Sequence, residues 1–383
     1  MTRSAASAAR RLAVLLALAV LAVAAGEARA SSIVYIDPDD GNLWLTTPDG
    51  ARQRQLTTDA TLQNRYTSPS MADDGTIVAL KNKHFVRMRP DGTRIGDPVP
   101  GMGSTVETSG NLFMPTGPLD PMVSPDGRLI AYWFGSWVHH CRQWWDCSYE
   151  LEDHITWSHA DRFTSWQETG LVDVYREPSW IDDGRLVAFN YGLGVKTVAT
   201  IDAPAAGAGL HQWFSDESGA GRQLAKGQIT RDGRRMALLV GTNGASSPQE
   251  ELYLIDLPEG PGGPVRPVCR FWGAAEPSKN FGWPTWSPDG SALAWMESDG
   301  VHVSEIPDLS AENVECGSIT ERHIVFGGQP FWGAADVPAD PPQRARRSRR
   351  RAGKAVAGRA RPVTRRQRRM LAASGVLVQR PAS

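Results

Sequence analysis

The chain repeats one short motif five times at intervals near fifty residues, and this periodicity constrains the fold more than any other feature. The motif starts with proline or glycine and ends in Asp-Gly, at residues 69–75, 121–127, 178–184, 227–233 and 284–290. The closing glycines are 52, 57, 49 and 57 residues apart. Glycine takes positive φ freely, and the aspartate can accept a hydrogen bond from the backbone that follows. Each motif therefore predicts a hairpin corner.

Two positions around each corner share a character that predicts buried strands. The residue four before the glycine is always apolar, at Met71, Val123, Trp180, Ile229 and Trp286. The residue four after it is always alanine, at Ala79, Ala131, Ala188, Ala237 and Ala294. Bulky apolar neighbours flank these alanines, so the strand is expected to be buried on both faces with space for only a methyl group. A small sheet buries both faces only when other sheets stack on it, as the blades of a β-propeller do.

The two ends of the repeat region complement each other. The first unit opens at Ile33 and lacks a leading strand, whereas Pro330-Phe331-Trp332 repeats the Pro-x-Trp spacing with no hairpin after it. A solenoid is the alternative, but it gives no reason for this match between the ends. We therefore predict an all-β fold, a six-bladed β-propeller over residues 31–337, closed by N- and C-terminal strands sharing one blade.

The segment from Pro284 to Trp295, PTWSPDGSALAW, resembles the Pro-x-Trp-Ser-Pro-Asp-Gly repeat of TolB-like propellers. These are related to WD40 proteins and to the propellers of prolyl-oligopeptidase-type peptidases. The resemblance extends over about 300 residues and implies the fold, while one fold supports many functions. We expect no TolB-type N-terminal domain, because the propeller pattern starts close to the predicted cleavage site. We expect no peptidase domain either, because the chain has no Gly-x-Ser-x-Gly pentapeptide.

Residues 1–30 have the pattern of a cleavable signal peptide. Arg3, Arg10 and Arg11 precede an apolar run from Leu12 to Ala25, and Ala28-Arg29-Ala30 supplies a small-x-small cleavage site. The run is shorter than the roughly 20 residues that span a bilayer. We therefore predict a mature chain that starts near Ser31, is secreted or periplasmic within the cell envelope, and does not span the membrane after cleavage.

The chain has four cysteines, an even number that is typical of disulfide pairing in an oxidising compartment. A bridge between Cys141 and Cys147 would close a small loop on the third blade. Cys269 and Cys316 lie late in the fifth and sixth blades and could tie these blades together. Zinc binding by all four is the alternative, but no Cys-x-x-Cys pair is present. We predict two structural bridges.

A long segment from Trp133 to Trp166 contains six of the 14 tryptophans. Trp144 and Trp145 lie between Cys141 and Cys147, and with nearby Tyr149 they form a candidate binding loop, because rigid aromatic side chains bury area at low entropic cost. The alternative is that this loop covers its own blade as a lid. The segment also holds His139, His140, His154 and His159, but adjacent histidines on a strand point to opposite faces. We predict no metal site and no other cofactor.

The C-terminal segment 338–383 differs sharply from the rest of the chain. From Arg344 to Arg380 it carries 13 arginines and one lysine with no acidic residue. Removing these 14 charges from the 41 basic residues leaves 27 against 42 acidic ones, so the rest of the chain has a net charge near −15. We expect a disordered tail. Its densest pairs form a candidate polyanion tether: Arg346, Arg347, Arg349, Arg350, Arg351, Arg365, Arg366, Arg368 and Arg369.

These patterns favour a non-catalytic propeller, most simply a monomer, that binds a protein, peptide or glycan in the cell envelope or outside it. Outside the membrane, the tail would meet anionic envelope polymers, and we expect no nucleic-acid partner. The alternative is a propeller-type hydrolase or lactonase with a metal or carboxylate site in the central channel. A third hypothesis makes the tail the functional element and the propeller its carrier.

Overall fold

The computed structural model describes residues 31–102, 112–143, 146–164, 168, 172–173, 175–190, 194–199, 210–214, 223–241, 251–272 and 281–339. The predicted signal peptide, and the predicted tail apart from Pro338 and Ala339, lie outside these residues. Within them, 24 strands form six antiparallel sheets of four strands each. No helix among the described residues is long and apolar enough to cross a membrane. The compact unit that contains the six sheets ends at Pro338.

The strands follow one another in the order of the sequence repeats. The first half of the chain contains β1 (Ser32–Ile36), β2 (Leu43–Thr46), β3 (Gln53–Gln55), β4 (Thr67–Met71), β5 (Ile77–Lys81), β6 (His84–Met88), β7 (Val99–Pro100), β8 (Leu112–Val123), β9 (Leu129–Gln143), β10 (Asp146–His159) and β11 (Val172–Asp173). The second half contains β12 (Arg176–Trp180), β13 (Arg185–Asn190), β14 (Gly194–Ala199), β15 (Leu210–Phe214), β16 (Gln223–Ile229), β17 (Arg235–Gly241), β18 (Glu251–Asp256), β19 (Arg266–Trp272), β20 (Gly282–Trp286), β21 (Ala292–Glu297), β22 (Gly300–Glu305), a short 3-10 turn at Cys316–Ser318, β23 (Arg322–Val325) and β24 (Gly328–Gly333).

Five sheets are built from four consecutive strands, and the sixth joins the two ends of the repeat region. Its strand order is β24-β1-β2-β3, with Val34 opposite Phe331. The prediction that the terminal strands share a sheet is confirmed. The leading strands also contact one another in a closed cycle, β4 with β8, β8 with β12, β12 with β16, β16 with β20, β20 with β24 and β24 with β4. The molecule is an all-β propeller, as the sequence predicted.

The core lies between neighbouring sheets. The five repeated alanines, Ala79, Ala131, Ala188, Ala237 and Ala294, are all fully buried, which confirms the prediction of strands covered on both faces. Large side chains fill the adjacent space, as where Trp286 and Trp295 pack against Leu252 and Leu254 of the preceding sheet. Burying such side chains contributes about 1.5–3 kcal/mol each. The stacked sheets therefore supply the apolar contacts that one four-stranded sheet lacks.

Tryptophans of the repeat also hydrogen-bond to the preceding sheet. The indole Nε1 of Trp180 donates to the Met122 carbonyl at 2.7 Å, and the indole Nε1 of Trp286 donates to the Gln228 carbonyl at 3.1 Å. The backbone N–H of Trp286 also donates to the Gln228 side chain at 2.6 Å. Each bond joins one leading strand to the next. The Pro-x-Trp motif is therefore a connection between sheets as well as part of the core.

Four of the five Asp-Gly corners have the expected glycine conformation, with positive φ at Gly75, Gly127, Gly233 and Gly290 but not at Gly184. Asp126 accepts hydrogen bonds from the Ser124 hydroxyl at 2.7 Å and from the backbone N–H of Arg128 at 3.0 Å. Gly127 follows with φ of 76°, a conformation that glycine adopts without strain. Burial opposes ionisation of Asp126, but the Ser124 and Arg128 hydrogen bonds outweigh it and hold the pKa of this carboxyl below its usual range. The aspartate stabilises the corner as a carboxylate.

The long tryptophan-rich segment is a hairpin rather than an irregular loop. Strands β9 and β10 pair from Leu129 opposite His159 to Gln143 opposite Asp146, with a register shift between Asp146 and Cys147. Trp157 is buried in the core, as expected. His154 is also buried, and its Nε2 lies 2.6 Å from the Ser136 hydroxyl oxygen across the hairpin. Both strands are longer than any strand of the other sheets, and the described residues on either side of 144–145 belong to this hairpin.

A disulfide joins Cys269 to Cys316, with Cα atoms 5.5 Å apart and a sequence separation of 47 residues. Cys269 lies in β19, and Cys316 begins the short turn between β22 and β23. The bridge therefore ties two neighbouring sheets, as we predicted. Cys147 is also disulfide-bonded, and its backbone lies opposite that of Cys141 in the β9–β10 hairpin.

Candidate functional site

The six leading strands each contain one residue with an unusual backbone conformation. These residues stand directly before the proline or glycine that opens each repeat and have φ between 44° and 52°: Ser68, Asp120, Glu177, Lys226, Trp283 and Gln329. Residues other than glycine rarely adopt this left-handed region, which costs of order 1 kcal/mol each. We call this set the channel ring. Because the same conformation recurs on all six strands, it follows from the repeat itself. Five of the six residues line a shared cavity, and Gln329 is the exception.

Hydrogen bonds connect neighbours around the channel ring. The side-chain oxygen of Gln329 accepts the backbone N–H of Ser68 at 2.6 Å, and the Ser68 hydroxyl donates to Asp120 at 2.9 Å. Glu177 accepts the backbone N–H of Lys226 at 2.8 Å. The other oxygen of Asp120 accepts the indole N–H of Trp133 at 2.8 Å. These bonds fix both carboxylates in position and organise the ring before any ligand arrives.

The ring brings two carboxylates and one ammonium together. Lys226 Nζ lies 3.9 Å from an oxygen of Asp120 and 3.9 Å from an oxygen of Glu177. The same ammonium lies 3.6 Å from the centroid of the Trp283 ring, a cation–π contact. Glu177 is almost fully buried, whereas Asp120 and Lys226 are half-buried. The six side chains of the ring therefore carry a net charge of about −1 in partly desolvated surroundings, which favours a cationic ligand group.

A cavity of about 60 Å³ lies at the channel ring. Its wall combines ring residues with the prolines that follow them, Pro69, Pro121, Pro178, Pro284 and Pro330. At roughly 10–15 Å³ per water, it has room for a few water molecules. Enclosed small-molecule sites are commonly about 300–1,000 Å³. This opening therefore suits a side chain or chain end rather than a whole small-molecule ligand.

A smaller cavity of about 30 Å³ continues towards the Asp-Gly corners and shares Met122, Gln228 and Phe331 with the first. Arg231 and Asp73 line it and form an ion pair of 2.8 Å between corners 158 residues apart in sequence. The tryptophans of the repeat, Trp180, Trp286 and Trp332, complete its wall. This end is narrow and bounded by large side chains, so the end with the channel ring is the better candidate site.

Of the residues that we predicted as a binding loop or tether, the structure describes only the backbone of Tyr149. Trp144 and Trp145 fall outside the described residues, as do the arginines of the candidate tether. Tyr149 belongs to β10, where its backbone lies opposite His139.

Sequence reasoning missed the ring itself, although one signal could have found it. Each ring residue stands seven positions before a corner glycine, except Gln329, which precedes the Pro330 motif. Five of the six also stand directly before a proline. Their side chains share no chemical character, so the pattern is visible only as a position in the repeat.

No family model matches the sequence. No curated protein matches it either. Solved structures similar to this chain include a protein assigned as TolB from Agrobacterium tumefaciens, at 12% identity and a TM-score of 0.43, covering 79% of this chain and 91% of the other. A protein of Bacteroides fragilis assigned as a 6-phosphogluconolactonase is similar at 10% identity and a TM-score of 0.46, covering 80% and 98%. An oligogalacturonate lyase in complex with manganese is similar at 11% identity and a TM-score of 0.42, covering 76% and 77%. These similarities concern the propeller fold.

Proposed function

We propose that this chain is an exported, non-catalytic, TolB-like propeller that binds a protein, peptide or glycan partner, and that the channel ring is its main binding site. The observation that carries the proposal is the ring itself, whose side chains are held by hydrogen bonds, ion pairs and a cation–π contact beside a small opening. Preorganised polar groups on a rigid frame bind with little loss of entropy. The ring has this character.

The proposal takes the six sheets as six blades. The closed cycle of contacts between leading strands supports this count, because each of the six touches one neighbour on either side. The channel ring supports it independently, since one ring residue comes from each leading strand. A cycle of six blades gives a central opening wide enough for the tip of a ligand.

The charge and size of the opening favour a peptide segment over a glycan. A lysine or arginine side chain, or a free N-terminal amine, is small enough for about 60 Å³ and complements the negative ring. The surrounding prolines offer rigid apolar contacts to the stem of such a side chain. We therefore infer a partner that inserts one cationic group of an extended segment.

Export to an oxidising compartment fits the disulfide chemistry. The Cys269–Cys316 bridge and the bonded Cys147 are typical of secreted or periplasmic proteins. In this setting the arginine-rich tail, Arg346 to Arg369, would hold the propeller near anionic envelope polymers. Trp144 and Trp145, together with Tyr149 of β10, would supply a second contact for the partner.

Binding can be tested with pairs of synthetic peptides that differ only in a free or acetylated N-terminus, or in lysine against norleucine. We expect peptides with the cationic group to bind in fluorescence anisotropy. We expect Glu177→Gln and Asp120→Asn to weaken binding about tenfold, since a charged hydrogen bond contributes about 1.5–3 kcal/mol. Exposed Asp91 lies in the turn after β6 and does not line the cavity, so Asp91→Asn is the matched control.

Two results would overturn the proposal. Equal peptide affinity in the parent, Glu177→Gln and Asp120→Asn would place the site elsewhere on the propeller. Steady turnover of a lactone or ester panel that is lost in Asp120→Asn and Glu177→Gln, but kept in Asp91→Asn, would establish the hydrolase or lactonase alternative.

A further inference from the structure

Away from the channel, one face of the β20–β23 sheet gathers a histidine and two carboxylates. Glu297 ends β21, His302 lies in β22, and Glu321 stands directly before β23. In the sheet register, Trp295 and His323 lie on either side of His302, and Glu297 and Glu321 stand two residues along from Trp295 and His323. One potential ligand atom from each of Glu297, His302 and Glu321 lies within 4.8 Å of the others.

His302 carries the strongest indication of a bound ligand. The residue is only 5% exposed, and its Nε2 lies 2.7 Å from a carboxylate oxygen of Asp299. Its Nδ1 is buried and has no hydrogen-bond partner among the described residues. A neutral histidine that donates Nε2–H to Asp299 keeps a lone pair on Nδ1. A buried acceptor left in this state costs about 1–3 kcal/mol, and a bound cation would remove the cost.

The surroundings of His302 resemble those of a metal-binding histidine. Carboxylates that accept the second ring N–H orient such histidines and raise the basicity of the coordinating nitrogen, as Asp299 does here. The Trp295 ring stacks against the imidazole at 6.1 Å, and the His323 ring meets it edge-on at 5.3 Å. These contacts hold the imidazole ring in place without using Nδ1.

Glu297 and Glu321 complete the set from opposite sides. Glu297 is buried, and one of its oxygens accepts the Trp295 indole N–H at 2.8 Å, which fixes its orientation. Glu321 is exposed and lines a cavity of about 590 Å³ between the β16–β19 and β20–β23 sheets. Two carboxylates this close repel each other, and a cation bound between them replaces this repulsion with attraction. The exposed glutamate and the cavity give an ion a path from solvent.

We propose that Glu297, His302 and Glu321 bind a divalent transition-metal cation, with Zn²⁺ the first candidate. A nitrogen ligand together with two carboxylates suits zinc better than Ca²⁺ or Mg²⁺, which prefer oxygen ligands alone. Three protein ligands leave a fourth position open on the tetrahedral zinc, facing the cavity. The site is separate from the channel ring and does not depend on the function proposed for it.

The test uses the full mature chain, purified with its disulfides and stripped with a chelator. We expect it to bind one equivalent of Zn²⁺ in calorimetric titration, without displacement by excess Ca²⁺. Glu321→Gln should weaken binding at least about tenfold. Because Glu321 is exposed, this variant keeps the fold. Glu312→Gln, an exposed glutamate on the same connection, is the control and should bind as the parent does.

A second measurement tests the role of His302, the buried residue proposed to coordinate the metal. Co²⁺ in place of Zn²⁺ should give a visible absorption spectrum that changes in both Glu321→Gln and His302→Gln, with circular dichroism used to confirm that the second variant is folded. Saturable binding that is equal in the parent and in Glu321→Gln would overturn the proposal. Failure of the parent to bind Zn²⁺ would do the same, and neither result would bear on peptide binding at the channel ring.

Discussion

The bridge between Cys269 and Cys316 should make a large contribution to stability, and its size follows from the chain it closes. The two cysteines are 47 residues apart. In the chain-entropy model, restraining a loop of that length in the unfolded state contributes about 4 kcal/mol. Cys269 is buried among apolar residues, so alanine is the substitution that leaves no unpaired polar atom there. The variant is Cys269→Ala with Cys316→Ala.

Urea unfolding followed by tryptophan fluorescence measures the effect. With an m-value of about 3 kcal/mol/M, a loss of about 4 kcal/mol lowers the midpoint by about 1.3 M. Adding reductant to the parent should also lower the urea midpoint. As a matched comparison, Cys141→Ala with Cys147→Ala removes the predicted bridge of the β9–β10 hairpin, whose short loop contributes only about 2 kcal/mol in the same model.

The reasoning would be refuted by a loss below about 1 kcal/mol in a parent whose bridge is confirmed by mass spectrometry. A larger loss from the short hairpin bridge than from the long one would refute it too, because the entropic contribution grows with loop length.

Three further predictions follow from named contacts. Trp286→Phe removes the indole bond to the Gln228 carbonyl and should cost about 1 kcal/mol in urea unfolding; Trp44→Phe is the control and should cost less, since the Trp44 indole N–H is buried without a partner in the described structure. The pKa of Asp289 is lowered: burial opposes this, but hydrogen bonds from Ser287 and Ser291 outweigh it. The contribution of the Asp289 carboxylate to the free energy of unfolding is therefore complete above the unfolded-state pKa of about 3.9. It is lost as the pH falls through the lower folded-state pKa. Asp289→Asn should flatten the acid side of a pH-stability profile, and an unchanged profile would contradict this assignment. Deleting residues 339–383 should reduce retention on isolated cell envelopes while leaving urea stability unchanged, whereas full retention would end the tether hypothesis.

Sequence reasoning succeeded where the repeat fixes local chemistry. The Asp-Gly corners, the buried alanines such as Ala131 and Ala237, and the pairing of the terminal strands all follow from residue type and spacing. It did not predict how far the strands extend around Cys141, where they continue as one long hairpin. Strand length there depends on pairing between β9 and β10, which no local pattern encodes.

The candidate sites were the least accessible to sequence reasoning. Lys226 lies 49 residues from Glu177 and 106 from Asp120, and no linear spacing links an ammonium to carboxylates on other blades. His302 and Glu321 likewise meet only because β22 and β23 pair.

The sequence by itself determined the repeating sheet, because hairpin corners and the pattern of buried positions along a strand are properties of a few adjacent residues. Only the tertiary structure decided which side chains share the channel ring and which share the Glu297, His302 and Glu321 cluster. The physical reason is that a propeller bends its repeats into a cycle. Residues at equivalent positions then converge at the centre, whatever their chemical type, and their charges interact only after the cycle has closed.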